Sequence, residues 1–253
     1  MLDQFRLSGK TALVVGGAGD LGAAMVEAVA EAGAKTVVID LSDAVFQLCE
    51  RLTGSGLPVS ALKADVSDRS QIRDSFEKAL ALLEGRLDIL VNSAGIQRRH
   101  ASEVFPEQDW DAVIAVNLEA TFFYCQLAAN NMIPTGGGKI INIASMQSFL
   151  GGITIPAYAA SKGGVSQLTK ALSNDWAAKG ICVNAIAPGY MDTQMNVALI
   201  NDPVRNAEAL SRIPMKRWGK GGDLKGLVVF LASAASDYIT GTVIPVDGGY
   251  LAR

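Results

Sequence analysis

The chain has 253 residues, 49% of them hydrophobic, and a formal net charge of -3. This length and apolar content predict one domain over residues 1–253 around a large core, and the scattered 22 Lys and Arg residues disfavour nucleic acid as a partner. The three cysteines, Cys49, Cys125 and Cys182, form no CxxC pair, so we expect reduced thiols in a cytoplasmic protein, with neither a disulfide framework nor a metal site.

Along the chain, short β-branched runs alternate with longer amphipathic segments, a pattern typical of a parallel sheet covered by helices. The predicted strands span residues 11–17, 35–40, 59–65, 88–95, 138–145, 181–188 and 243–249. We therefore predict an α/β fold, a single doubly wound Rossmann-type domain with a seven-stranded parallel sheet and helices on both faces. A (β/α)8 barrel would suit the length too, but an eighth unit is missing.

The first predicted strand runs into a glycine-rich turn, VVGGAGDLG, at residues 14–22. Gly16, Gly19 and Gly22 would let the backbone approach a pyrophosphate, while Asp20 and Leu21 open the following helix with its positive N-terminal end. The context of strand, turn and helix favours a dinucleotide site over a plain tight turn. Because a carboxylate beside a phosphate would cost affinity, we expect Asp20 to point away and to bond N–H groups of the first helical turn.

Asp40 ends the second predicted strand and is followed by Leu41. A carboxylate at this position can accept both hydroxyls of an adenosine ribose and would repel a 2′-phosphate. The sequence therefore predicts NAD rather than NADP as the cofactor, with Asp40 and Leu41 at the ribose. The alternative interpretation is a tight turn together with a surface aspartate.

Tyr158 and Lys162 lie one helical turn apart, and Ser145 ends the fifth predicted strand, at the edge where open α/β sheets bind ligands. A free tyrosine titrates near ~10, which is too high for a general base at neutral pH. An ammonium at ~5 Å, with an effective dielectric of ~20, would lower that pKa by about two units. With Ser145 orienting the reacting oxygen, such a site suits hydride transfer between a nicotinamide and a secondary alcohol or ketone.

These motifs resemble those of the short-chain dehydrogenase/reductase family, from about residue 8 to the end. Tyr158 and Lys162 match its Tyr-x-x-x-Lys motif and Ser145 matches its serine. Asn117, in AVNLEATF, resembles the fourth active-site residue, which in the family bonds backbone and water in a proton relay through the lysine. The resemblance implies catalytic roles for all four residues, and it also implies that Lys162 binds the nicotinamide ribose.

Further family motifs imply more cofactor contacts. The NSAG turn resembles the family's Asn-Asn-Ala-Gly, ADVS carries its adenine-contacting acid, and APGYMDT resembles its Pro-Gly turn with a threonine near the carboxamide. Tyr158, Lys162, the glycine turn and the end of the second strand have already been assigned to the cofactor. The resemblance adds Asp65, Val66, Asn92, Ala94, Gly95, Pro188, Gly189, Met191 and Thr193.

The glycine turn departs from the family pattern Thr-Gly-x-x-x-Gly-x-Gly. Val15 stands where the threonine is expected and Asp20 where the middle glycine is expected. The three-residue spacing of the glycines is similar to the extended, epimerase-type branch, but the short chain and its terminal VIPVDGG strand disfavour an epimerase. The departure concerns how the cofactor is seated rather than which cofactor is bound.

Four stretches, AGIQRRH, IASMQSFLGG, RIPMKRWG and DGGYLAR, resemble the branch of the family that acts on gluconate and on deoxy-keto-gluconates. Arg98 and Arg99 follow the fourth strand, where a guanidinium could bind a substrate carboxylate with two parallel hydrogen bonds. Paired arginines on a loop can equally be solvated or bridge subunits.

The other substrate contacts are predicted around the same crevice. Gln147 and Tyr190 could reach substrate hydroxyls from either side, and Ser145 and Tyr158 would hold the reacting oxygen. The segment 191–214 is polar and weakly periodic and follows the Pro-Gly turn, so we expect it to form a mobile substrate lid.

The first hypothesis is therefore an NAD-dependent dehydrogenase that acts on a small sugar acid. A second is a 3-oxoacyl-thioester reductase, for which no basic docking patch is evident, and a third is a non-catalytic dinucleotide-binding regulator, which would not need Ser145, Tyr158 and Lys162. The resemblance implies a homotetramer built through the long fourth and fifth helices and the C-terminal strand. Because the opening residues lack an apolar h-region and no later run reaches ~18 apolar residues, no membrane partner is expected.

Overall fold

Parallel strands form one continuous sheet in the computed structural model, which describes residues 2–252. Seven strands lie within that range, namely β1 Thr11–Val15, β2 Lys35–Asp40, β3 Val59–Lys63, β4 Ile89–Asn92, β5 Gly138–Ile143, β6 Ile181–Pro188 and β7 Val243–Val246. Their order is β3-β2-β1-β4-β5-β6-β7, and the neighbouring pairs are parallel. The predicted fold class is confirmed.

Helices cover both faces of the sheet. The described residues contain nine α-helices, namely α1 Asp20–Glu31, α2 Ala44–Gly54, α3 Arg69–Leu82, α4 Glu107–Ile114, α5 Ala120–Met132, α6 Pro156–Trp176, α7 Val197–Ile200, α8 Pro203–Arg212 and α9 Gly222–Ala232. Since successive side chains of a strand point to opposite faces, Ala12 and Val14 pack with α1, α2 and α9. Leu13 and Val15 pack with α3, α5 and α6. Burial on both faces explains why the strands read as continuous apolar runs.

Several strands end earlier than the sequence predicts. Five predicted strands run two or three residues past the observed ends, which are Val15, Lys63, Asn92, Ile143 and Val246. After β1 and β7 the chain turns out of the sheet through Gly16, with a φ of +77°, and Gly248, with a φ of +64°. Glycine adopts positive φ readily, whereas a strand requires negative φ. The residues beyond the strand ends therefore form turns at one edge of the sheet.

β1 and β4 are neighbours in the middle of the sheet, and the chain leaves them in opposite directions. From β1 it continues to β2 and β3, and from β4 to β5, β6 and β7. A crevice opens at the carboxyl ends of such a strand pair, because the helices that follow the two strands lie on opposite faces. The turns after β1, β4, β5 and β6 border this crevice.

One long helical segment, residues 107–135, packs against α3 and α6. It consists of α4, a wider π-helical turn at Ala115–Glu119, α5 and a short 3-10 turn. Its length and composition alone would suffice to cross a membrane, and it is the one helix of residues 2–252 with this property. The sequence did not indicate such a span, and Tyr124, Cys125 and Met132 of this helix are fully buried in the core that α3 and the sheet share.

The segment 191–214 is largely helical, although its composition is polar. α8 begins after Asp202, whose carboxylate accepts hydrogen bonds from the N–H groups of Val204 and Arg205 at 3.0 and 3.1 Å. Pro203 occupies the first helical position, where its missing N–H is not needed. Capping signals therefore fix the start of the helix, and most of its residues are exposed.

Candidate active site

Ser145, Tyr158 and Lys162 meet at the carboxyl end of β5. Ser145 lies just past that strand, and α6 places Tyr158 and Lys162 on one face of its first turns. The Tyr158 hydroxyl shares a hydrogen bond with Ser145, and Lys162 Nζ lies 5.8 Å from the centre of the Tyr158 ring. Lys162 Nζ also donates to the Ile143 carbonyl at 2.6 Å. The structure therefore brings the three predicted residues into one crevice.

The ionisation of this site differs from the sequence-based expectation. Burial raises the pKa of Tyr158, although its side chain is partly open to the crevice, and the hydrogen bond with Ser145 works in the opposite direction. Burial also lowers the pKa of Lys162 from its ordinary value of 10.5 to about 8. The expectation of a lowered pKa for Tyr158 is wrong for this structure, because it counted the attraction between phenolate and ammonium but not the cost of desolvating them.

Asn117 lies in the π-helical turn between α4 and α5 and is fully buried. Its Oδ1 accepts from the Ile96 N–H at 2.8 Å, and its Nδ2 donates to the Ile96 carbonyl and to Ser161 Oγ, both at 3.0 Å. A π-helical turn often marks a functional site. A Cβ at Gly95 would lie 3.5 Å from both Asn117 Oδ1 and Lys162 Nζ, so these two groups converge on one point.

The glycine turn after β1 packs so closely against neighbouring backbone that Gly16 and Gly22 have no room for side chains. A Cβ at Gly16 would lie 2.3 Å from the Ala94 backbone nitrogen, and one at Gly22 would lie 2.1 Å from the Gly16 carbonyl oxygen. Gly19, in contrast, faces open space at the start of α1. The turn therefore leaves the N-terminal end of α1 open to the crevice, where an anionic group can approach its N–H groups.

Asp20 bonds a different partner from the one expected. It is the first residue of α1 and lines the crevice, and its Oδ2 accepts from the Gln194 N–H at 2.8 Å. The N-cap of α1 is Gly19, which has no side chain. Asp20 is one residue further along, and from there a carboxylate is poorly placed to accept from the first N–H groups of the helix. The expectation that Asp20 bonds N–H groups of its own helix is wrong. Its carboxylate instead connects α1 to the segment 191–214.

Two carboxylates are fixed at the neighbouring strand ends. Asp40 Oδ2 accepts from the Ala18 N–H and Oδ1 from the Ser42 N–H, both at 2.9 Å. Asp65, after β3, accepts from the N–H and the hydroxyl of Ser67 at 2.8 and 2.7 Å. Hydrogen bonds from backbone N–H groups hold both side chains at the edge of the sheet where the sequence predicts adenosine binding.

The Asn92 side chain turns away from the crevice, contrary to its assignment as a cofactor contact. Its Nδ2 donates to Asn142 Oδ1 at 2.9 Å and to Cys125 Sγ at 3.3 Å, and its own Oδ1 is buried without a partner among the described residues. Since side chains alternate along an extended chain, the next residue, Ser93, lines the crevice instead.

The crevice has a volume of about 280 Å³. The predicted cofactor residues that line it are Gly16, Gly19, Asp20, Leu21, Gly22, Gly95, Tyr158, Lys162, Pro188, Gly189, Met191 and Thr193. The predicted residues outside this lining are Asp40, Leu41, Asp65, Val66, Asn92 and Ala94, the first four of them at or just past the ends of β2 and β3. Lining residues that were not predicted include Ser93, Ile143, Ala144, Gln194, Met195 and Asn196.

A larger cavity of about 770 Å³ adjoins this crevice and shares Ser145 and Tyr158 with it. Of the two predicted arginines, Arg99 lines the cavity. Arg98 points elsewhere, since its guanidinium lies 3.3 Å from the Asp109 carboxylate and donates to the Gln97 carbonyl. Adjacent residues of an extended loop face opposite sides, so only one of the pair can face the cavity. Arg98 is therefore removed from the candidate substrate contacts.

Gln147 and Tyr190 both line the larger cavity. Gln147 Oε1 is buried and has no hydrogen-bond partner within residues 2–252. A buried oxygen left unpaired costs about 1–3 kcal/mol, so a ligand hydroxyl would be a favourable partner for it. Tyr190 packs edge-on against Trp218 and Tyr250, with ring centres 5.3 and 5.4 Å apart, and this packing fixes its position.

The far wall of the cavity was not predicted. It comes from α8, which contributes Arg205, Glu208 and Arg212, and from Tyr250 near the C-terminus. Arg212 stacks on Tyr250, with its guanidinium carbon 4.7 Å from the ring centre. Residues three and four positions apart share one helical face, and this spacing was the available signal. It was missed because the segment was interpreted as a loop-like lid.

The crevice suits a nicotinamide dinucleotide. The glycine cradle and the open end of α1 provide N–H groups for a diphosphate, and Ser145, Tyr158 and Lys162 lie where the crevice meets the larger cavity. The donors are amide, hydroxyl and ammonium groups. In the part of the chain that the structure describes, no group of three or more His, Cys, Asp or Glu residues is placed to hold a metal ion.

Comparisons with known proteins agree with this arrangement. A family model described as enoyl-(acyl carrier protein) reductase matches residues 16–251. The 2-dehydro-3-deoxy-D-gluconate 5-dehydrogenases of Bacillus subtilis and Dickeya dadantii are 46% and 48% identical; the first match covers 99% of this chain and 98% of the relative, and the second covers 100% of both.

A solved structure extends the likeness to three dimensions. The gluconate 5-dehydrogenase from Burkholderia cenocepacia J2315, in complex with NADP and tartrate, is 42% identical with a TM-score of 0.95, over 100% of this chain and 99% of that one. Its similarity therefore covers both the fold and the sequence. The chain belongs to the short-chain dehydrogenase/reductase family and is an oxidoreductase that acts on a CH–OH group.

Proposed function

We propose that the protein is an NAD-dependent dehydrogenase that interconverts a secondary alcohol and a ketone of a sugar acid, of the gluconate or deoxy-keto-gluconate type. The observation that carries the proposal is that Tyr158 and Arg99 line one cavity. An acid/base group at one end and a cation for the carboxylate at the other are what such a substrate requires. The names of the relatives and the tartrate in the Burkholderia structure support the same substrate class.

The proton chemistry would be carried by four side chains. During oxidation the Tyr158 oxygen takes the proton of the substrate hydroxyl, and during reduction it returns a proton to the carbonyl oxygen. Ser145 donates a hydrogen bond to that same oxygen and holds it beside Tyr158. Lys162 favours the phenolate through its positive charge. Asn117, fixed on the Ile96 backbone, supports the path along which the proton leaves through Lys162.

A bound nicotinamide dinucleotide supplies the hydride acceptor or donor. The residues proposed to hold it are those of the glycine turn for the diphosphate, Asp40 for the adenosine ribose, Lys162 for the nicotinamide ribose and Thr193 for the carboxamide. Closing the site against water would fall to the segment 191–214, which we propose as the substrate lid because it borders both the crevice and the larger cavity.

NAD is proposed over NADP because of Asp40. Hydrogen bonds from the Ala18 and Ser42 N–H groups hold this carboxylate at the end of β2, where its charge would repel a 2′-phosphate. The Burkholderia relative was solved with NADP, so a direct comparison of the two cofactors is needed.

Changing Asp40 to Ser should lower the ratio of kcat/KM with NAD to kcat/KM with NADP by about 10- to 100-fold, since the ribose loses an acceptor and the phosphate loses a repelling charge. Initial rates at 340 nm with each cofactor would measure this ratio. Asp74→Ser, on the exposed face of α3, is the matched control and should leave it unchanged. A wild-type enzyme that prefers NADP, or an unaltered ratio in Asp40→Ser, would contradict the NAD proposal.

One alternative is a 3-oxoacyl-thioester reductase, which the description of the matching family model makes worth testing. The cavity lining, with three arginines and a glutamate, suits a polar anion better than a long acyl chain. The other alternative is a non-catalytic dinucleotide-binding regulator. The convergence of Ser145, Tyr158 and Lys162 beside a cavity argues against it, because binding alone does not require an acid/base group.

The proposal includes a cytoplasmic homotetramer. Free thiols support the location, since Cys49 and Cys125 are buried and unpaired. The edge strand β7 supports an assembly, because Val243, Ile244 and Val246 are incompletely buried within one subunit. Sedimentation equilibrium of the purified protein would measure the number of subunits.

The proposed function is tested by a screen of purified protein at 340 nm with NAD and NADP. The substrates are gluconate, 2-deoxygluconate, 2-dehydro-3-deoxygluconate and a 3-hydroxyacyl thioester. We expect turnover of a sugar acid, and an Arg99→Ala enzyme should lose about 10- to 100-fold in kcat/KM, because a charged hydrogen-bonded pair is removed. Arg98→Ala, which changes a residue paired with Asp109, is the matched control. Turnover of the thioester alone would refute the sugar-acid proposal.

A further inference from the structure

Arg205 lies on the wall of the larger cavity that α8 forms. It belongs to α8, whereas Arg99 follows β4, and both line the same 770 Å³ cavity. Both side chains are open to that cavity rather than packed in the core. Two arginines from separate parts of the fold therefore line one space.

The position of Arg205 is unfavourable for its own helix. It lies in the first turn of α8, directly after Pro203 and Val204, and that turn contains no acidic residue. The N-terminal end of a helix carries partial positive charge, so a cation there is destabilising. The Asp202 carboxylate accepts from the Arg205 backbone N–H, but it is not within ion-pair distance of the guanidinium. The stability of the helix does not explain an arginine at this position.

Neither cavity arginine is neutralised by a carboxylate of residues 2–252. Among residues 2–252, no carboxylate lies within 4.0 Å of the guanidinium of Arg99 or of Arg205. Other arginines of the chain are paired, such as Arg86 with Asp88 and Arg217 with Asp223, both at 2.7–2.8 Å. Partial burial, followed by the positive charge of Arg205, lowers the pKa of Arg99. The two like charges are therefore close enough to repel each other until an anion lies between them.

We propose that Arg99 and Arg205 form a two-sided clamp for the substrate carboxylate, and that binding of this carboxylate holds α8 over the reacting alcohol. A carboxylate has two oxygens and can accept from a guanidinium on each side. Arg99 supplies the fixed side and Arg205 the side carried by the segment 191–214. The inference rests on the proposed function, since it assumes that the substrate is a carboxylate.

The other charged groups on the wall are consistent with an anion. Glu208 and Arg212 lie on the same face of α8, and Arg212 is stacked on Tyr250. Glu208 has no cationic partner within 4.0 Å among the described residues, so it does not neutralise Arg205. The lining then contains three arginines against one glutamate, a positive field that attracts a carboxylate into the cavity.

The test measures KM and kcat of Arg205→Ala, Arg205→Lys and Arg99→Ala with the sugar acid that the wild-type enzyme turns over. For Arg205→Ala we expect KM to rise about 10- to 100-fold with kcat changed less than about threefold, and for Arg205→Lys a smaller rise in KM. The Arg99→Ala, Arg205→Ala double variant should lose less than the product of the two single losses, because each arginine acts through the same carboxylate. Arg73→Ala, on the exposed face of α3, is the control and should match the wild type.

A binding measurement separates the clamp from the chemistry. Calorimetric titration of the sugar acid into the NAD complex of Tyr158→Phe should give a Kd that rises about 10- to 100-fold when Arg205→Ala is added. An unchanged Kd, fully multiplicative losses in the double variant, or an equal fall of kcat in Arg205→Ala and Arg205→Lys would overturn the clamp while leaving the sugar-acid function in place. A wild-type enzyme that turns over no sugar acid would overturn the proposed function and the clamp with it.

Discussion

The Tyr158→Phe enzyme should lose at least about 10³-fold in kcat, because only the hydroxyl that carries the proton is removed. Ser145 and Lys162 would remain in place, so binding of the nicotinamide dinucleotide should change less than about threefold. The aromatic ring keeps its packing, and the melting temperature should stay within a few degrees of the wild type. Steady-state rates at 340 nm, a fluorescence titration with NADH and a thermal melt would measure the three quantities.

Tyr238→Phe is the matched control, since the Tyr238 side chain is fully exposed at 103% and lies outside both cavities. It should have wild-type kcat. If Tyr158→Phe retained more than a tenth of the wild-type kcat, Tyr158 could not be the acid/base group. The site would then have to use another proton carrier, and both enzymatic hypotheses would fail as stated.

Changing Lys162 to Met should affect activity and stability in opposite directions. Activity should fall about 10²- to 10⁴-fold, because the phenolate of Tyr158 loses its neighbouring positive charge. Stability should rise by about 1–3 kcal/mol near pH 7, since the side chain is only 3% exposed and burial lowers its pKa from 10.5 to about 8. Loss of the hydrogen bond to the Ile143 carbonyl offsets part of this gain.

The stability gain should depend on pH in a defined direction. Below pH 8 the lysine is charged in the folded and unfolded states, and the penalty for burying its charge is complete. Between pH 8 and 10.5 Lys162 loses its proton in the folded state but keeps it in the unfolded state. The wild type therefore gains stability as the pH rises, and the stability advantage of the variant disappears. Urea unfolding from pH 7 to pH 10 would measure this, with exposed Lys170→Met as the control. A variant less stable than the wild type at pH 7 would contradict the burial argument.

The order of the elements could be predicted because the relevant signals are local. A strand buried on both faces is a short β-branched run, and a helix that covers it has an apolar residue about every 3.6 positions. The strand ends could not be predicted with the same success. After Val15 and Asn92 the sequence stays small or apolar, so composition does not reveal that the chain has turned out of the sheet.

In the candidate site, too, the residues with local signals could be predicted and those that depend on long-range contacts could not. Ser145, Tyr158 and Lys162 were found because each follows a strand end or shares a helical face with another. Asp20 was assigned the wrong partner, because Gln194 lies 174 residues away along the chain and only the folded structure brings them together. The ionisation of Tyr158 was misjudged for a related reason, since desolvation depends on neighbours from the whole fold.

Arg205 was missed because the segment 191–214 was interpreted as a whole from its polar composition, although Pro203–Arg212 alone separates apolar from charged residues at helical spacing. The start of α8 is encoded by Asp202 and Pro203, and its cavity side is encoded by charged residues. Periodicity can locate such a helix, but it does not reveal that the charged face lines a cavity rather than facing solvent.

The π-helical turn around Asn117 restricts how the gene can change in length. Each residue of an α-helix advances the chain by about 100°, so the wider turn lets α4 face α6 while α5 faces α3. A one-codon deletion between positions 115 and 119 would leave the composition almost unaltered, yet it would rotate Asn117 away from Ile96.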